Sequence, residues 1–119
     1  MENSSPLIIK RSSDFFSLKQ SGKRYWPAKW LLFNYGKNDL GRIRLGVTAS
    51  RKVGSAVVRN KLKRWSREYF RKLLKTGESD AADINLIFKP MDKEFYKVLK
   101  YQEFVEAMDI GMLIVRKYL

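Results

Sequence analysis

The sequence predicts an α+β fold: a single-domain, two-layer sandwich with helices packed on one small mixed sheet. Three observations predict it. Hydrophobic spacing alternates between the helical and the strand period along the chain, in the order helix, strand, strand, helix, strand, helix. With 119 residues and 45% hydrophobic composition, the chain is one domain that buries roughly two-thirds of its unfolded surface. It has no cysteine, so the core must hold without disulfides or thiolate metal sites.

Residues 1–11 read as a flexible, partly extended basic arm. "DFFSLKQS" is a short helix, with Ser12 or Ser13 as its cap, Asp14 favoured in its first turn by the helix dipole, and Gly22 as its stop. "AKWLLFNY" (28–35) is a strand rich in aromatic and aliphatic residues. "GKNDLG" is a loop. In "RIRLGVTAS", Ile43, Leu45, Val47 and Ala49 point one way and Arg42, Arg44, Gly46 and Thr48 the other, which is a half-buried strand. "RKVGSA" turns the chain, and Ser55 caps a long helix from about Ala56 to Lys75, stopped at Gly77. "DINLIFK" (83–89) is a strand closed by Pro90, and a turn or short helix follows over "MDKEFYKV". The last helix starts at Tyr101 with Phe104, Met108, Met112 and Val115 on one face. Gly111 weakens its middle by up to about 1 kcal/mol.

The long helix carries two stripes. Val58, Leu62, Trp65, Tyr69 and Leu73 form an apolar face. Asn60, Arg64, Arg67 and Arg71 share their spacing on the opposite side, extended by Arg59 and Lys63. Residues 51–75 hold ten basic residues against Glu68, a net +9 of the chain's +13. A merely soluble helix would pair these charges with Glu, because like charges at i,i+4 repel. Arginine also supplies flat bidentate donors suited to phosphate. The pattern points to a polyanionic partner.

Several function classes are disfavoured. There is no histidine, and no carboxylate pair stands out; Asp80 and Asp83 read as a cap and a turn. A protein-only nuclease therefore lacks its groups, and neither catalytic nor metal-ligating residues are expected. No run approaches the roughly 20 apolar residues of a span, no secretory signal is evident, and the apolar stripe is needed inside, against a membrane-surface role. The expected setting is cytoplasmic, without a membrane partner. No helix-turn-helix, zinc-finger or basic-zipper pattern is present. RNA fits better, with Phe15, Phe16, Tyr25, Trp26, Trp30, Phe33 and Tyr35 as base platforms, most of them expected in the core.

"RLGVTASRKVGSAVVRNKLKRWSREYFR" (44–71) closely resembles the signature segment of the bacterial ribonuclease P protein subunit family. "SSDFF" in the first helix, "WLLF" in the next strand and "YQEF" opening the last helix match its element order over about residues 10–118. The Arg-Asn-Arg core of the family motif reads Arg59-Asn60-Lys61, which keeps the charge but loses the fork of the third residue. The resemblance implies a left-handed β-α-β crossover around the basic helix, against the general right-handed rule. It implies a protein that binds the catalytic RNA and the 5′ leader of precursor tRNA, while the RNA, with Mg²⁺, performs the cleavage. The partners implied are ribonuclease P RNA and precursor tRNA, with the protein a monomer in a 1:1 ribonucleoprotein. The RNA-contact residues carried over are Arg51, Lys52, Arg59, Asn60, Lys61, Lys63, Arg64 and Arg67, with Arg71 continuing the arc. The leader cleft implied between sheet and first helix takes Phe15 and Phe33. Lys19 replaces a second aromatic one turn after Phe15, which makes the cleft more electrostatic. The alternative reading is a structural, ribosomal-type RNA-binding protein with no part in cleavage.

Overall fold

The computed structural model describes residues 5–76 and 80–119. The elements run β1 (Leu7–Ile8), α1 (Ser12–Ser21), β2 (Lys23–Ala28), β3 (Leu31–Lys37), β4 (Arg44–Thr48), α2 (Ala56–Leu74), β5 (Ala82–Phe88), α3 (Phe95–Val98) and α4 (Tyr101–Tyr118). The strands form one mixed sheet in the order β1-β4-β5-β3-β2. β4 and β5 are adjacent and parallel, so α2 is the crossover between them. β3 pairs antiparallel with both β5 and β2.

The period of two along each strand separates two chemistries. Leu31, Phe33 and Tyr35 of β3 and Ala82, Ile84, Leu86 and Phe88 of β5 are buried in one core with α2 and α4. From α4 that core receives Phe104, Met108, Met112 and Val115, as their spacing predicts. Asn34, Asn85 and Gly46 lie on the other face, toward α1. Gly111 has a packing reason. A Cβ there would lie 2.4 Å from the Phe33 ring, so the ring packs directly on the α4 backbone.

Two strands were not legible in the sequence. β2 contains Pro27, which a ladder tolerates at a sheet edge, and β2 is an edge with a register shift between Tyr25 and Ala28. The strand expected over 28–35 therefore begins at Leu31, and Trp30 sits in the β2–β3 turn, stacked on Phe88. At the opposite edge, part of the arm expected to be flexible is tied into the sheet. Leu7 N–H donates to Ile43 O, Ile9 N–H donates to Leu45 O, and the Ile9 side chain is buried. Two residues of pairing are too short for a periodic signal.

The helix ends also divide. Ser55 caps α2 as expected, accepting from Val58 N–H at 3.3 Å. Gly77, the expected stop of α2, lies outside the described residues; the helix ends at Leu74, where Thr76 N–H and its hydroxyl both donate to Leu73 O. Neither Ser12 nor Ser13 caps α1: Arg11 holds the cap position without a side-chain bond. Asp14 lies in the first turn, as expected, and also serves tertiary structure. Arg44 grips Asp83 with two bonds, at 3.0 and 2.7 Å, and reaches Asp14 at 3.1 Å, tying α1 to β4 and β5. Asp80 accepts from Arg116 Nε at 3.0 Å. Asp80 and Asp83 are thus ion-pair partners of arginines, not a cap and a turn.

Candidate nucleic-acid interface

The basic surface starts with the turn before α2. Arg51 and Lys52 are exposed there, and Asn60, Arg64, Arg67 and Arg71 form an exposed row down the helix. Lys63 is half-buried beside them. Arg59 is half-buried too, because its Nε donates to Gly54 O at 3.2 Å, which bonds the guanidinium to the turn. The row is rigid because the opposite face is locked into the core. That face is broader than the expected stripe: Ser66 and Phe70 are fully buried with Val58, Leu62 and Tyr69. Ser66 escapes the polar penalty by donating its hydroxyl to Leu62 O at 2.7 Å.

Lys61 departs from its expected role. Its Nζ turns away from the row, donates to Tyr96 O at 2.6 Å and sits 4.9 Å from the Trp65 ring centroid. Burial, and secondarily the charge of Arg64, lower its pKa from the ordinary 10.5. It joins α2 to α3 and is not presented to an anion.

The second surface is a cleft of about 610 Å³ on the α1 face of the sheet. Phe15, Phe16 and Lys19 form its wall; Leu32, Asn34, Asn85 and Ile87 form its floor; Val47, Thr48 and Arg24 flank it. The Phe15 ring lies on Gly46, where a Cβ would come within 2.6 Å of it. Asn34 fixes the wall to the floor, its Nδ2 donating to Leu18 O at 3.0 Å and to Lys23 O at 3.2 Å. Thr48 donates to Asn85 Oδ1 at 3.1 Å. The surface is apolar in area with a few directed polar groups, which suits an unstacked base. Phe15 and Lys19 lie where the resemblance puts them. Phe33 does not: it is fully buried on the other face, against Gly111. Its neighbours Leu32 and Asn34 line the cleft, since a shift of one residue on a strand changes the face. Phe16, one of the candidate base platforms, joins this lining although the resemblance does not point to it. At 63% exposure it is the open aromatic of the wall, beside Lys19.

Among the described residues no group of three or more His, Cys, Asp or Glu side chains could hold a metal ion. Among the described residues no helix is long and apolar enough to cross a membrane.

The family model "Ribonuclease P" matches residues 4–115. The chain belongs to the ribonuclease P protein family. A ribonuclease P protein component of Staphylococcus epidermidis is 41% identical over 63 residues, which is 53% of this chain and 55% of that protein. The Fusobacterium nucleatum component is 36% identical over 95 residues, 80% of this chain and 84% of that protein. Among solved structures, the RNase P protein from Thermotoga maritima superposes with a TM-score of 0.73 at 30% identity, covering 84% of this chain and 89% of that one. Membership in this family extends over sheet, cleft and basic helix alike, since the matched residues include all three.

Proposed function

We propose that this protein is the RNA-binding subunit of a ribonuclease P holoenzyme, in which it helps to remove the 5′ leader of precursor tRNA. The observation that supports the reading is that the fold carries two separate surfaces whose side chains suit RNA: an exposed basic row on α2 and a cleft under α1. The exposed row on α2 with Arg51 and Lys52 suits the phosphates of a folded RNA. The cleft under α1 suits a single strand, with Phe15 and Phe16 for bases and Lys19 and Arg24 for phosphates. One surface holds ribonuclease P RNA while the other guides the leader.

The division of labour follows from the side chains. Binding supplies position and charge neutralisation, which raise local substrate concentration without a protein acid, base or nucleophile. Mg²⁺, which would be bound by the RNA and not by side chains of this chain, would supply electrostatic stabilisation of the reacting phosphodiester. The working unit is one protein monomer with one RNA, in the cytoplasm.

The test is single-turnover cleavage of a precursor tRNA by a bacterial ribonuclease P RNA at low Mg²⁺, with and without the protein. A cut at the mature 5′ end that requires protein and RNA together is the expected result. Binding to both RNAs with no change in cleavage would favour a structural RNA-binding role, and cleavage by protein alone would refute the assignment of chemistry to the RNA.

A further inference from the structure

A second concave surface, about 580 Å³, is lined by Trp26, Ala28, Lys29, Lys89 and Met91. Trp26 is 49% exposed, so its ring is only partly used in packing. Lys89 Nζ stands 5.9 Å from the ring centroid, and Lys29 and Lys89 are both exposed. None of the five lining residues is a carboxylate. The site adjoins the cleft in the chain. Trp26 follows Arg24 by two residues on β2, and Lys89 follows Ile87 by two residues at the end of β5. Each step is about 7 Å of strand.

We infer that Trp26, Lys29 and Lys89 form a further single-strand subsite, in which the Trp26 indole stacks on one unpaired base and the two lysines take the flanking phosphates. The inference rests on the reading of the cleft as the leader site. A half-exposed flat ring with the Lys89 ammonium over it, Lys29 in the same lining and no acid among the lining residues, is complementary to a nucleotide. A protein partner would gain little from unpaired lysines at the centre of its contact, whereas a nucleic-acid strand releases counterions from each one it meets. The leader leaving the Arg24 end of the cleft therefore continues onto Trp26.

The experiment uses holoenzyme reconstituted with ribonuclease P RNA and a series of precursor tRNAs with progressively longer leaders. Substrate affinity is measured for the unsubstituted protein and for Trp26→Ala, Trp26→Phe, Lys89→Gln and Phe15→Ala. The unsubstituted protein should gain affinity in two stages as the leader grows. Phe15→Ala should remove the first stage. Trp26→Ala should remove the second, about tenfold with the longest leaders, Lys89→Gln should reduce it, and Trp26→Phe should keep most of it. If Trp26→Ala follows the unsubstituted protein at every length, or loses affinity equally at every length, the subsite is overturned while the cleft stands. If the unsubstituted protein gains nothing from a longer leader, the cleft reading falls and the subsite with it.

Discussion

Lys61 and Arg64 lie three residues apart on α2 and carry the same charge, yet they meet different surroundings. Arg64 stands in the exposed row; Lys61 donates to Tyr96 O and covers Trp65. Arg64→Ala and Arg67→Ala should each flatten the salt dependence of binding to ribonuclease P RNA by about one phosphate contact. Lys61→Met should leave that slope unchanged and lower stability by about 1 kcal/mol, through the carbonyl it leaves without its donor. Filter binding across a salt series and urea denaturation separate the two effects. Two phenols make a pH prediction. The Tyr96 hydroxyl shares its one proton between Lys89 O and Trp30 O, the latter at 3.1 Å, and Tyr69 donates to Asp109 at 2.6 Å. Burial first, and for Tyr69 the Asp109 bond second, raise both pKa values above the ordinary 10.0. A raised folded pKa means that the unfolded chain releases its proton first. The stabilisation is therefore complete below pH 10.0 and is lost progressively as pH rises past it. Thermal melts should show this loss, and Tyr96→Phe should make it shallower while lowering stability at neutral pH.

At the scale of elements, two close contacts hold the helices in register with the sheet. Gly111 admits the Phe33 ring against α4, and both residues are buried. Alanine would gain up to about 1 kcal/mol of helix propensity but would place a methyl within the ring's radius. Gly111→Ala should therefore destabilise by about 2 kcal/mol net in chemical denaturation, and adding Phe33→Leu should recover part of it. On the opposite face, Asn34 is 2% exposed and bonds both ends of the α1–β2 connection. Asn34→Ala removes both bonds, although Leu18 O keeps the Gly22 N–H at 2.8 Å, and should cost about 1 kcal/mol. It should also weaken leader binding, because the wall carrying Phe15 and Phe16 loses its tie to the floor, while affinity for ribonuclease P RNA stays the same.

Over the whole molecule, the excess charge and the cleft are placed apart. Most of the +13 derives from residues 51–75, on the turn and helix that cross between β4 and β5, while the cleft opens under α1. A rigid sheet between the two surfaces lets one orient the other without a conformational change. The prediction at this scale is separability. In the reconstituted holoenzyme, Phe16→Ala should lower affinity for precursor tRNA with a leader but not for mature tRNA, and should leave assembly with the RNA unchanged. Arg64→Ala should do the reverse, weakening assembly while the ratio between leader-bearing and mature tRNA is preserved. Gel-shift assembly and competitive substrate binding measure both.

Local signals carried much of this in the sequence. The Ser55 cap, the apolar spacing of α4 and the alternation of Ile43, Leu45 and Val47 arise from contacts within a few residues, so they are written in periodicity and were legible. The basic row on α2 was legible for the same reason, because one helix face is set by spacing alone. The edge strands β1 and β2 were not, since a two-residue pairing and a strand with Pro27 owe their form to the neighbours they pair with. Phe33 and Lys61 were assigned by position in a motif. Their side chains were decided by the sheet face that meets α4 and by the Tyr96 carbonyl that α3 brings to α2. The sequence by itself determined the fold class, the charge and the rigid basic stripe. Which aromatics line a cleft, and which cations remain free for an anion, only the tertiary structure decided, because both depend on residues brought together from distant parts of the chain.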